Sequence, residues 1–251
     1  KSARARLATG PGSVRIHPRV FPISTLIIVL DVAATIWAGA SAEDVFVGLR
    51  KGLTASAGGI FIFSVNVFLL TSLLIAFSRL GDIRLGGPDA KPEFKRWGWF
   101  SMLFSAGMGI GLVYWSVAEP IYHFTNPPFV TTPPESAEAA AEAMTFTYFH
   151  WGFHAWGIYA MMGLALAYFA FNKGRPLALR SAFRPLIGDR VEGWMGDAID
   201  ITAVVATLFG VATSLGLGAR QVNAGLNYLI SLPQGAWVQV GLIAGITALA
   251  T

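Results

Sequence analysis

The feature that most constrains this chain is a succession of long apolar stretches. They lie near residues 21–42, 53–77, 97–119, 146–171 and 197–230, and a sixth begins near 236 and is still apolar at Thr251. About 20 apolar residues carry an α-helix across the hydrocarbon core of a bilayer. Backbone groups in hydrocarbon must be satisfied within their own element, so such runs read as membrane-spanning helices and the expected class is an all-α membrane protein. Composition agrees. The chain is 54% hydrophobic and 13% charged, with mean hydropathy +0.58, where a soluble domain carries about 25% charged residues. A sixth run that stops in mid-span reads as the cut edge of a longer protein.

The charges between the runs give an orientation. The tail over 1–20 holds Lys1, Arg4, Arg6, Arg15 and Arg19, and the connection over 79–96 holds Arg79, Arg84, Lys91, Lys95 and Arg96. The connection after the fourth run holds Lys173, Arg175, Arg180, Arg184 and Arg190. By contrast, residues 120–144 carry Glu135, Glu138 and Glu142 but no Lys or Arg, and Arg50 and Lys51 are offset by Glu43 and Asp44. Lys and Arg mark the cytoplasmic side, so the N-terminus is expected inside. The sequence pI of about 9.6 therefore reads as membrane orientation rather than nucleic-acid binding, and lipid is the expected partner. A basic tail, an apolar run and the small-residue segment AGASA at 38–42 outline a signal peptide, but the run is too long for a signal core and reads as a retained span. The absence of cysteine excludes disulfides and thiolate chemistry.

Several local features bear on chemistry. Gly86-Gly-Pro-Asp is a turn signal, and Ser136 is a candidate N-cap for a short helix over 135–144. The fifth run is too long for one straight span and contains Gly210, Gly216 and Gly218, so a bend or break is expected. Asp31, near the middle of the first run, is a functional candidate as an intramembrane acid, although nothing near it on the same helix pairs with it. Gly107, Gly109 and Gly111 each cost a helix about 1 kcal/mol relative to Ala. A break there frees N–H groups for a carboxylate and carbonyls for Na⁺; the competing reading is close helix packing through small residues. In the fourth run, Trp151, Trp156 and Tyr159 fall within an arc of about 140° on one regular helix. Such rings can surround a methylammonium group by cation–π attraction, or form an interfacial aromatic belt. His150 and His154 have the i, i+4 spacing of a metal pair but no third ligand in sequence reach, so they read as interfacial histidines. Glu119, just before Pro120, reads as a cap or gate at the outer end of the third run. No nucleophile–base pair, metal cluster or phosphate loop is legible, which argues against an enzyme and against an organic cofactor.

Several segments together resemble the betaine–choline–carnitine transporter family. They are FSAGMGIGL at 104–112 with AEP at 118–120, LGG at 85–87 and PEF at 92–94, HW at 150–151 and AWGIY at 155–159, SAFRPLIG at 181–188, and TLFG at 207–210 with SLGLG at 214–218. The resemblance implies a leucine-transporter-like fold with two peripheral helices over 21–78, a cytoplasmic loop over 79–96, and part of the first five-helix inverted repeat over 97–251. It implies a cation-driven importer of glycine betaine in the bacterial inner membrane, serving osmoprotection as a homotrimer. By the same resemblance, Gly107, Met108, Gly109 and Gly111 lie along the substrate, Trp151, Trp156 and Tyr159 form its aromatic box, and Ser105, Met108 and Thr207 belong to sodium sites. Some choline-selecting members place Asp where Gly111 stands, which leans the reading towards a zwitterion. Val211 stands where sodium-coupled betaine carriers place a hydroxyl, which puts a two-sodium stoichiometry in doubt and leaves one sodium or a proton open. Choline, carnitine and sulfonium solutes remain alternatives within the family, and a channel or osmosensor without coupled carriage is the alternative outside it.

Overall fold

A computed structural model describes residues 16–107 and 109–250. Most of the described residues are helical, with no strand among them. They fall into two units: one takes the described residues through Lys91 together with Trp151–Ala206, and the other takes Pro92–His150 and the described residues from Thr207 onward.

Helix α1 spans Val20–Ala38 and α2 spans Ser41–Ala76. Gly39, at φ +55°, ends α1, so only two residues link the helices. This corrects the expected loop around 43–51. Glu43 and Asp44 sit in the first turn of α2, where carboxylates complement the positive end of the helix dipole, and Arg50 and Lys51 lie on the same helix. At 1.5 Å per residue the 36 residues of α2 extend about 54 Å, well beyond the ~30 Å hydrocarbon core. A short 3₁₀ turn over Arg79–Asp82 follows, and Gly86 and Gly87, at φ +88° and +100°, form the expected turn.

The third run is two helices, α3 over Arg96–Gly107 and α4 over Ile110–Thr125. Helix α4 continues through Pro120 rather than stopping there, and the loop after it begins only at Asn126. Helix α5 spans Ala137–His150, and Ser136 Oγ accepts the backbone N–H of Ala139 at 3.0 Å, as an N-cap does. Helices α4 and α5 pack against each other.

The fourth run is also interrupted. After α5, Trp151 and Gly152 leave helical geometry, Gly152 having ψ −156°, and α6 begins at Phe153 and runs to Ala167. A π-helical turn over Tyr168–Asn172 ends it. Helix α6 packs on α2 through Gly157, where an added Cβ would lie 3.1 Å from Leu69 Cα. The missing side chain is what brings the two backbones together. Asn172 fastens the connection that follows α2. Its Oδ1 accepts Gly86 N–H at 2.9 Å, and its Nδ2 donates to the Arg84 carbonyl at 3.0 Å.

Helix α7 spans Leu179–Ile187, a 3₁₀ turn covers Gly188–Glu192, α8 spans Trp194–Ile230 and α9 spans Ala236–Ala250. The break expected in α8 is absent: its 37 residues form one continuous helix. The cost of scattered glycines, about 1 kcal/mol each, is spread over many intrahelical bonds and does not interrupt it. Arg180 also departs from its reading as a loop cation. It is buried, with Nε 2.5 Å from Asp200 Oδ2 and an Nη 2.9 Å from Asp197 Oδ1. Burial alone would lower its pKa, but hydrogen bonds and charge from Asp200 and Asp197 outweigh that and raise it. Asp197 also meets Arg19 at 3.4 Å and His17 at 3.6 Å, tying the start of α1 to α7 and α8.

Among the described residues, four helical segments are long and apolar enough to cross a membrane: Val20–Ala38, Ser41–Ala76, Ala137–Asn172 and Trp194–Ile230. Side chains such as Ile60, Phe63 and Leu74 on α2 stand exposed, as expected of a surface whose solvent is lipid.

Candidate functional site

The glycine segment is one candidate element. Gly109 is the N-cap of α4, with φ −65° and ψ −155°, and it offers no side-chain cap. A Cβ built there would lie 2.9 Å from the Ser105 carbonyl oxygen, a backbone atom that cannot move aside cheaply. Only glycine fits that close approach without a shift in α3. Helix α4 forms its first backbone bond from Val113 N–H to the Gly109 carbonyl at 3.2 Å. The N–H groups of its first turn have no intrahelical acceptor, and they sit at the positive end of the helix dipole. Such a terminus receives an anion readily. Gly111 lies in this first turn, half-buried. Ser105 lies in the last turn of α3, whose final carbonyls likewise lack intrahelical donors. Gly107 is the last residue of α3, and Met108 lies outside the described residues.

The aromatic residues are a separate candidate element. Trp156 and Tyr159 share one face of α6, with ring centroids 5.7 Å apart at 41°. Trp156 Nε1 donates to the Trp151 carbonyl at 3.1 Å, which fixes the indole while leaving its faces accessible. Trp156 is 47% exposed and Tyr159 is 71% exposed, so neither ring is consumed by packing. The helical arc expected to hold Trp151 with the other two does not exist, because Trp151 precedes the interruption at Gly152. Trp151 is joined to Trp156 through its backbone carbonyl instead. The glycine segment and the aromatic residues belong to different units.

Thr207 lies on α8, with Val211 one turn later. Thr213 directs its hydroxyl to the Phe209 carbonyl of its own helix at 2.9 Å. Asp31 lies within α1, half-buried.

The sequence reading missed a cluster formed where α4 packs on α5. Glu119, buried, is hydrogen-bonded through Oε1 to His150 Nδ1 and stands 3.6 Å from His123 Nε2. His123 was passed over because α4 was expected to end at Pro120. Once the helix continues, Glu119 and His123 become i, i+4 neighbours on one face, and that spacing was the available signal. His150 pairs with Glu119, and His154 lies beyond the interruption on α6.

Comparison with known proteins bears on the whole of this arrangement. The family description "BCCT, betaine/carnitine/choline family transporter" matches residues 19–251. A glycine betaine/proline/choline transporter of Vibrio parahaemolyticus is 46% identical, over 97% of this chain and 47% of that protein. A probable glycine betaine transporter of Desulfitobacterium hafniense is 52% identical, over 79% of this chain and 40% of that protein. A glycine betaine transporter of Bacillus subtilis is 45% identical, over 89% of this chain and 44% of that protein. The chain therefore spans less than half the length of these relatives.

Proposed function

The chain belongs to the betaine/carnitine/choline transporter family, and from that premise we propose that it serves secondary active import of a quaternary-ammonium compatible solute, glycine betaine first among them. The observation that carries the reading is the interruption between α3 and α4. Gly109 opens a helix whose first-turn N–H groups have no side-chain cap, at a place where only glycine fits. A zwitterion has a carboxylate that such a terminus stabilises and a methylammonium that it does not. Trp156 and Tyr159 offer the complementary chemistry. A trimethylammonium donates no hydrogen bond, and each ring face is worth up to about 2 kcal/mol to it when water is excluded. Gly111 supports a zwitterion over choline, because no carboxylate from that position faces the cation. All three relatives above carry glycine betaine in their names, and that of Vibrio parahaemolyticus adds proline and choline.

The driving ion is proposed to be sodium, held in part by backbone oxygens near Ser105 and Met108 and by Thr207. The second reading is proton coupling, which Val211 leaves open because it offers no side-chain oxygen one turn after Thr207. The N-terminus is proposed to face the cytoplasm of a bacterial inner membrane, in a homotrimer. A non-coupled channel or osmosensor is the competing class.

The test is uptake of labelled glycine betaine into proteoliposomes under an imposed sodium gradient, an imposed proton gradient, or neither. Accumulation above the external concentration under the sodium gradient supports the proposal. Accumulation only under the proton gradient replaces the ion. Flux indifferent to both gradients, or preference for choline over glycine betaine, overturns it.

A further inference from the structure

We propose that Glu119, His123 and His150 form a binding site for a zinc-class divalent cation that bridges α4 and α5. One ligand atom from each of the three residues can be chosen so that all lie within 4.8 Å of one another. Glu119 Oε1 is already bonded to His150 Nδ1 and lies 3.6 Å from His123 Nε2, so one carboxylate oxygen stands between two imidazole nitrogens. Two ligands each about 2.0–2.1 Å from a tetrahedral zinc stand a little over 3 Å apart. The Glu119–His123 pair is close to that spacing, the hydrogen-bonded Glu119–His150 pair opens to it, and the widest separation, up to 4.8 Å, closes by about 1.5 Å of side-chain rotation.

The side chains differ in a way that suits the task. Glu119 and His123 are held by their i, i+4 relation on α4, and their side chains are mostly buried, at 11% and 14% exposed. His150, on α5, is 48% exposed, which gives an ion and its water a way in and leaves one ligand free to adjust. The imidazoles of His123 and His150 lie 5.8 Å apart between centroids. Phe146 borders both, at 5.7 Å from His123 and 6.2 Å from His150. An apolar border lowers the local dielectric and strengthens attraction between a carboxylate and a cation. Two nitrogens and one carboxylate oxygen suit Zn²⁺ or Co²⁺, whereas Ca²⁺ and Mg²⁺ take oxygen ligands. His123 Nδ1 is buried without a hydrogen-bond partner, so the ring offers its Nε2 face without breaking another contact.

None of the site's three residues is among those assigned above to the solute or to sodium. The site ties the helix that begins at the glycine interruption to the helix that ends at the Trp151–Gly152 interruption. Binding there stabilises the contact between α4 and α5 and raises the melting temperature of the protein.

The experiment uses purified protein in detergent, titrated with Zn²⁺ against a chromophoric chelator and, separately, with Co²⁺ followed by visible absorption. The expected result is one tight equivalent of Zn²⁺, intense tetrahedral Co²⁺ bands and a zinc-dependent rise in melting temperature. His123→Ala and His150→Ala should each weaken binding by about 100-fold or more, beyond the 10–100-fold typical of losing an outer-shell partner. Should an alanine variant fail to fold, His123→Gln and His150→Gln keep the side-chain volume, and the wild-type Co²⁺ spectrum stands without any variant. Absence of a stoichiometric equivalent, octahedral Co²⁺ bands, or unchanged binding in a variant carrying both His123→Ala and His150→Ala overturns the proposal.

Discussion

The indole Nε1 of Trp156 donates to the Trp151 carbonyl at 3.1 Å, reaching back over the extended residue Gly152. The bond holds a ring of α6 against the residue where the helical path is interrupted, and it leaves both faces of the indole clear of the hydrogen bond. It also separates two properties of Trp156 that substitutions can remove one at a time, the ring and the N–H.

Trp156→Ala removes both. Loss of one desolvated cation–π contact of about 2 kcal/mol raises the KM for glycine betaine by about 30-fold. Trp156→Phe keeps a weaker ring and loses the hydrogen bond to Trp151, so its KM is expected between wild type and Trp156→Ala. Uptake kinetics in proteoliposomes read the difference; wild-type KM in Trp156→Ala excludes the ring from the solute site.

Gly109→Ala places a Cβ 2.9 Å from the Ser105 carbonyl and forces the end of α3 away from the start of α4. Membrane insertion and yield are expected to hold while uptake falls at least tenfold, because the geometry of the interruption changes and the apolar runs do not. Parallel measurements of expression and transport decide it, and full uptake in this variant would rule out the close approach.

Arg180→Ala strands the carboxylates of Asp197 and Asp200 without their buried partner. Removing one member of such a pair costs about 3–5 kcal/mol, expected as a clear drop in melting temperature. Because the folded-state pKa of Arg180 is raised, its contribution is present below the ordinary arginine value and fades only as pH rises through the higher folded value. Deprotonation of Arg180 therefore contributes no stability change between pH 6 and 9, and thermal scans of Arg180→Ala and wild type check the cost.

Gly157→Leu drives a side chain into the α2 backbone at Leu69, where even a Cβ would stand 3.1 Å from Cα. Overpacking of this kind costs about 1–3 kcal/mol or more. Gly157→Ala is expected to cost less, because a shift of a few tenths of an ångström relieves it. Thermal stability in detergent orders the three proteins, with wild type highest and Gly157→Leu lowest.

Asn223 is 1% exposed and fastens the turn between α8 and α9, donating to the Pro233 carbonyl at 3.1 Å and accepting the Gly235 N–H at 3.4 Å. Asn223→Ala leaves those backbone groups unpaired, at about 1–3 kcal/mol. The expected loss of melting temperature is partly restored in Asn223→Asp, which keeps the acceptor for Gly235 alone.

The sequence by itself determined the class and its punctuation. Runs of apolar residues fix where helices lie in a membrane protein, because only a helix satisfies its own backbone in hydrocarbon. Closely spaced glycines marked the α3–α4 interruption, and Ser136 marked the start of α5, because both signals act within a few residues. The family was legible in the same glycine and aromatic segments. The tertiary structure decided what depends on contacts between distant residues. Residues 43–51 became helix, because α1 ends at Gly39 and charged residues are tolerated wherever α2 leaves the apolar layer. The fourth run broke at Trp151–Gly152 while the longer α8 stayed whole, an outcome that glycine counts alone had reversed. Arg180 left the surface because Asp197 and Asp200 came to meet it, and Glu119 found His123 and His150 only once α4 ran past Pro120 and packed on α5. Periodicity is a property of neighbours along the chain, whereas a buried ion pair or a ligand cluster is made by residues from separate elements, and only packing brings those together.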